Sequence, residues 1–180
     1  DVYKRQDQCS ALTSVTIGDS VRSIGAGAFE GTALTSVIIP DSVTSIAYAG
    51  FGGHGAFQDS ALTSVTIPDS VKSIENGAFQ LTALTSVTIP DSVTSIGENA
   101  FYKATALTSA TIPDSVTSIG FGAFASTGFT SVTIPDSVEY ISSYYDCTAL
   151  TSVTIGDSVT SIGNVRSSRP PPHSSREPAG

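Results

Sequence analysis

Seven aspartates recur at one fixed place along the chain: Asp19, Asp41, Asp69, Asp91, Asp114, Asp136 and Asp157, each two residues past an isoleucine. Stacked copies would hold such carboxylates about 4.8 Å apart, where they could share Ca²⁺ with Ser or backbone oxygens. The same positions also read as a turn. In Pro-Asp-Ser, Pro presets φ and Asp bonds the following backbone amides. Each copy offers a single carboxylate here, and the G-G-x-G-x-D nonapeptide of calcium-binding rolls is absent. The turn is the better reading, and no cofactor or metal is expected.

A second array consists of hydroxyls. Ser-x-Thr recurs as Ser14/Thr16, Ser64/Thr66, Ser86/Thr88, Ser109/Thr111, Ser131/Thr133 and Ser152/Thr154, with Ile38 as the exception. Such an array resembles the Thr-x-Thr ladders of ice-binding solenoids, but Thr also suits strands, and Ser and Thr simply solvate an exposed face. As an extended, weakly charged platform it fits protein recognition by a solenoid. Two irregular segments add aromatic candidates. Between Ile46 and Phe57 lies a glycine-rich insertion bearing Tyr48, Phe51 and His54, and the sixth copy carries Tyr140, Tyr144 and Tyr145. Tyr is enriched at interfaces, although at least one of these three is expected to replace a core phenylalanine. The binding candidates are therefore these six residues together with Thr66, Thr88, Thr111 and Thr133. Catalysis finds no support. His54 has no Ser or Cys nucleophile to partner it, and G-x-S-x-G, H-E-x-x-H and C-x-x-C are all absent.

What must position these residues is a single phrase, clearest at Leu84–Ala106: LTSVTIPDSVTSIGENAFYKATA. Copies start at Leu12, Leu34, Leu62, Leu84, Leu107, Phe129 and Leu150, at spacings of 22, 28, 22, 23, 22 and 21 residues. Counting from the leading residue, the fifth position beyond it is Ile in all seven copies, the ninth Val and the twelfth Ile. No single copy can close a core around these columns, but stacked copies can. V-x-I alternates apolar with polar, the period of a strand buried on one face. A parallel sheet is expected there. A Pro-Asp-Ser turn, V-x-x-I-G and a short A-F segment then close each coil, with Phe29, Phe57, Phe79, Phe101 and Phe124 in the far corner. The expected architecture is a mainly β, right-handed leucine-rich repeat solenoid of about seven coils of 21–28 residues, the last incomplete, with short turns or helical segments.

The phrase resembles the BspA-like bacterial leucine-rich repeat, roughly C-x-x-L-x-x-I-x-I-P-x-x-V-x-x-I-G-x-x-A-F, over Cys9–Gly163. The resemblance implies a secreted or cell-surface bacterial protein that binds host, matrix or cell-surface proteins. Adhesion is the first reading; a rigid spacer with no ligand of its own and an ice-binding solenoid are the alternatives.

Residues 1–8 fall outside the repeat and are set aside as foreign to it. Residues 164–180, NVRSSRPPPHSSREPAG, lack apolar columns and read as a disordered tail or linker. The chain is thus expected to be a fragment of a longer array, with a repeat domain at 9–163. That body holds 13 acidic residues against Arg22, Lys72 and Lys103, a net charge of −10. Such a charge argues against nucleic acid and anionic membrane surfaces and favours basic partners. No run approaches a membrane span. A monomer is expected. Cys9 and Cys147 lie six coils apart, about 29 Å at the strand spacing, too far to pair, and are read as small buried thiols.

Overall fold

The computed structural model describes residues 9–46, 54–141 and 144–163. The segments at 1–8 and 164–180 lie outside the described residues, as do Tyr48 and Phe51. Thirteen short strands occur among the described residues: β1 (Ser23–Ile24), β2 (Ser36–Ile38), β3 (Ser45–Ile46), β4 (Ser64–Thr66), β5 (Ser73–Ile74), β6 (Ser86–Thr88), β7 (Ser95–Ile96), β8 (Ser109–Thr111), β9 (Ser118–Ile119), β10 (Ser131–Ile134), β11 (Tyr140–Ile141), β12 (Ser152–Ile155) and β13 (Ser161–Ile162). The even-numbered strands are the V-x-I segments. All strand pairs are parallel and match like with like, for example Ser86↔Ser109, Val87↔Ala110 and Thr88↔Thr111. The long second copy keeps this phase, since Ser36 pairs Ser64.

The odd-numbered strands were not foreseen as a sheet. They are the Ser-Ile ends of V-x-x-I, and they run continuously as β1-β3-β5-β7-β9, with β11-β13 beyond. The V-x-I ladder is instead hydrogen-bonded in pairs, β2-β4, β6-β8 and β10-β12. A two-residue strand is too short to display alternation, so only its inward isoleucine was legible. The solenoid has about six closed turns rather than seven coils. The first V-x-I segment forms no strand, and the seventh copy supplies only β12 and β13. Nor do the closing A-F segments form helices; they are turns.

The third side is held by its own main-chain ladder. Phe57 N–H donates to Ala78 O at 2.9 Å, Phe79 N–H to Ala100 O at 2.8 Å and Phe101 N–H to Ala123 O at 2.8 Å. Left-handed residues at two positions bend the chain around it, although the first of these positions is not left-handed at Gly55. The residue two before the corner aromatic is Gly77 (φ 63), Asn99 (φ 54) or Gly122 (φ 67), types that tolerate this region. The second bend falls on Asp59, Leu81, Lys103, Ser126 and Asp146, all at positive φ.

Inside, the columns stack as expected. Leu34, Leu62, Leu84, Leu107 and Phe129 are fully buried. The corner rings form one continuous stack from Phe29 through Phe57, Phe79, Phe101 and Phe124 to Tyr144, with centroids 5.2–5.6 Å apart. Two buried threonine hydroxyls find local acceptors: Thr82 Oγ1 donates to Phe79 O at 2.8 Å and Thr127 Oγ1 to Phe124 O at 2.9 Å. Cys147 occupies the equivalent place and donates to Phe124 O at 3.2 Å. The expectation of two buried thiols is half right. Cys147 is half-buried, but Cys9 is exposed among the described residues.

Candidate interaction surface

Each Pro-Asp-Ser is a turn closed by the main chain: Val71 N–H donates to Pro68 O at 3.1 Å, Val93 to Pro90 at 3.0 Å and Val116 to Pro113 at 3.0 Å. The aspartate therefore has no closing role. Rather than bonding its own following amides, Asp136 accepts from Asp157 N–H of the next coil at 2.8 Å. Asp69, Asp91 and Asp114 make no such bond and are exposed. Serine secures the stacking instead. Ser92 Oγ donates to Val71 O at 2.7 Å and Ser115 Oγ to Val93 O at 2.8 Å, each reaching one coil back.

Across from that aspartate row stand Thr66, Thr88 and Thr111, outward on β4, β6 and β8. Together the two rows wall a groove of ≈ 730 Å³ whose floor includes Ile67, Ile89 and Ile112. Thr133 continues the threonine row on β10 and is exposed. These outward threonines make no side-chain hydrogen bonds among the described residues, unlike their neighbours at the strand entrance. There Thr63 Oγ1 donates to Thr35 O at 3.0 Å and Thr108 Oγ1 to Thr85 O at 3.3 Å. One threonine per coil thus serves the stack and the next faces the groove. The carboxylates stay separate: no group of three Asp, Glu, His or Cys side chains is placed to hold a metal among the described residues.

The structure separates the other candidates. His54 Nδ1 lies 2.7 Å from Glu30 Oε1, an exposed pair that ties the end of the insertion to the first coil. Tyr140, Tyr144 and Tyr145 do not form one patch. Tyr140 is half-exposed on β11, outward on the second sheet. Tyr144 is a correction: it is buried as the last ring of the corner stack, so its side chain cannot reach a partner. Burial, then the nearby Cys147, raises its pKa. Its hydroxyl has no hydrogen-bond partner among the described residues.

Tyr145 does reach the surface, in company the sequence reading missed. Its ring centroid lies 5.4 Å from Phe121 and 6.5 Å from Tyr102. Tyr102 and Tyr145 occupy the position after the corner aromatic in two coils, with Ala125 between them; the ladder runs Lys103 N–H to Ala125 O and Ser126 N–H to Tyr145 O, both at 3.0 Å. A small residue flanked by two large ones in one column was the available signal. Partial burial first, then Tyr102 and Asp146, raises the Tyr145 pKa.

The sequence matches the family described as "BspA type Leucine rich repeat region", in 6 copies over residues 6–54 and 52–166. No curated protein matches it. Among solved structures, the T. pallidum leucine rich repeat protein TpLRR is similar at 26% identity and TM-score 0.72, over 86% of this chain and 73% of that one. A leucine-rich repeat protein from Bacteroides ovatus is 25% identical at TM-score 0.66, over 86% of this chain and 51% of its own. The chain therefore spans about half the length of that protein. The pneumococcal vaccine antigen PcpA, at 22% identity and TM-score 0.58, covers 82% of this chain and 40% of its own, and shares the fold.

Proposed function

Because the chain belongs to the BspA-type leucine-rich repeat family, we propose that it is a non-enzymatic protein-binding module, displayed outside a bacterial cell, that holds an extended basic segment of a partner protein along the threonine–aspartate groove. The observation that carries this reading is the groove itself. Three carboxylates and three hydroxyls in register line one concave surface, none of them needed to close a turn or bond a neighbouring coil. A body with 13 acidic and three basic residues adds a long-range field of the same sign.

The test is binding of the purified protein to a panel of extracellular-matrix and host surface proteins at two salt concentrations. Saturable binding that weakens with salt is expected. Replacing Asp69, Asp91 and Asp114 together by Asn should weaken it about tenfold, from exposed charges contributing about 0.2–1 kcal/mol each. Binding that ignores both salt and the triple substitution would refute the groove. Silence across the panel from a folded sample would favour the alternative, a rigid spacer with no ligand. Accessibility of the protein to protease added to intact cells tests its location.

A further inference from the structure

The aromatic cluster at Tyr102, Phe121 and Tyr145 lies outside the groove, and neither the repeat nor its core requires it. Phe121 comes from the turn after β9, and 57% of its surface is exposed. At the corresponding place on the preceding coil stands exposed Glu98; Gly120, just before Phe121, packs directly over its backbone. An exposed phenylalanine has no polar tip to satisfy, so its open ring is apolar surface held in water without compensation inside the chain. Tyr145 supports it from the next coil at 31°. Lys103 Nζ already sits 5.2 Å from the Tyr102 centroid, so a ring of this cluster holds a cation in the acidic field of the body.

We infer that the Phe121–Tyr145 edge of this cluster is a second contact site, which takes an arginine side chain of a protein partner. The ring faces offer negative quadrupole, the surrounding body is acidic, and the one ring already occupied is occupied by a cation. Arginine fits better than lysine. Its guanidinium is planar, weakly hydrated and able to stack on Phe121. Aromatic and arginine side chains are also the usual anchors of protein interfaces. The site is independent of the groove: substitutions in one should leave the other intact.

The test compares labelled nona-arginine and nona-lysine peptides by fluorescence anisotropy, with the ring proton signals of Tyr102 and Tyr145 followed by NMR. Nona-arginine should bind about fivefold tighter than nona-lysine, an increment typical of one exposed cation–ring contact. Phe121→Ala should remove that preference while leaving nona-lysine binding within about twofold, and Phe121→Tyr should retain it. The Asp69, Asp91 and Asp114 triple variant should weaken both peptides and keep the preference. A preference that survives Phe121→Ala, or is absent from the parent protein, overturns the inference. So does a shift of the tyrosine signals by a neutral oligosaccharide such as cellohexaose with none from nona-arginine, which would mark a sugar platform instead.

Discussion

Replacing Tyr144 with Phe should stabilise the solenoid, and should do so more strongly in alkali. The ring is nearly parallel to that of Phe124, at 4° and 5.6 Å between centroids, so the stack survives the substitution. What disappears is a buried hydroxyl without a partner. A buried polar group left unpaired costs about 1–3 kcal/mol. A gain of about 1–2 kcal/mol is therefore expected, a rise in Tm of roughly 2–6 °C for a domain of this size. The second readout is pH. Burial, then Cys147, raises the Tyr144 pKa above its ordinary 10.0. Above that pH the unfolded chain has released this proton while the folded chain keeps it. The native state then binds more protons, and stability falls as pH rises, by up to about 1.4 kcal/mol per pH unit from this one group. Below that pH the contribution is constant. The Phe variant lacks the group, so its advantage should widen between about pH 9 and pH 11. Chemical denaturation followed by circular dichroism at about pH 7, pH 9 and pH 11 measures both effects. A variant no more stable than its parent at neutral pH, or a gap that stays flat into alkali, would refute the reasoning.

Leu81 is held at φ 59 and is 39% exposed, so Leu81→Gly relieves a left-handed strain at little packing cost and should raise stability by about 1 kcal/mol; a lower melting temperature would contradict this. Ser92→Ala removes the bond to Val71 O and should cost about 1 kcal/mol, whereas Ser42, in the same column with its Oγ buried and unpartnered among the described residues, should be neutral or stabilising as Ala. Equal losses at the two serines in thermal melts would show that the inter-coil hydroxyl bonds contribute nothing.

Much of the fold could be read from the columns because a repeat reports each buried position seven times. In the inner coils the leading leucines, Val93-type and Ile96-type positions and the corner phenylalanines lie buried where their period places them, while Ile162 of the last coil is exposed. The second sheet escaped because its strands are two residues long, and two residues carry no alternation to detect. Tyr144 was legible only as one of three candidates for the corner. The step from Ile141 to Tyr144 is two residues shorter than that from Ile119 to Phe124, which shifts which tyrosine meets the Phe124 ring, and only packing decides that. The groove was half legible: both its rows stand in the sequence, but two rows three residues apart in each coil face each other only once the Pro-Asp-Ser turn is built. The Tyr102–Phe121–Tyr145 cluster was not legible as a unit, since its members come from three coils and two different columns.

The geometry also bears on how the two proposed contacts would divide the work of recognition. Carboxylates along the groove repeat about every 4.8 Å, the spacing of stacked coils, whereas side chains on one face of an extended partner repeat about every 6.6–6.8 Å. The two periods come together only about every third carboxylate. A basic segment lying along Asp69, Asp91 and Asp114 would thus find nearly equal energies in several registers, giving affinity and fast association without a fixed position. A regular scaffold cannot choose among those registers, because every coil offers the same groups. The choice needs an irregular feature, and among the described residues the aromatic cluster is the one that breaks the columns across three coils while remaining exposed. A partner that carries both a basic run and a separately placed arginine would be fixed by the second contact after capture by the first. Removing Phe121 should then raise the dissociation rate of such a partner while leaving its association rate and salt dependence unchanged, and the Asp69, Asp91 and Asp114 substitutions should do the reverse. Surface plasmon resonance on the two variants separates these effects, and a loss of association rate on removing Phe121 would show that no such division exists.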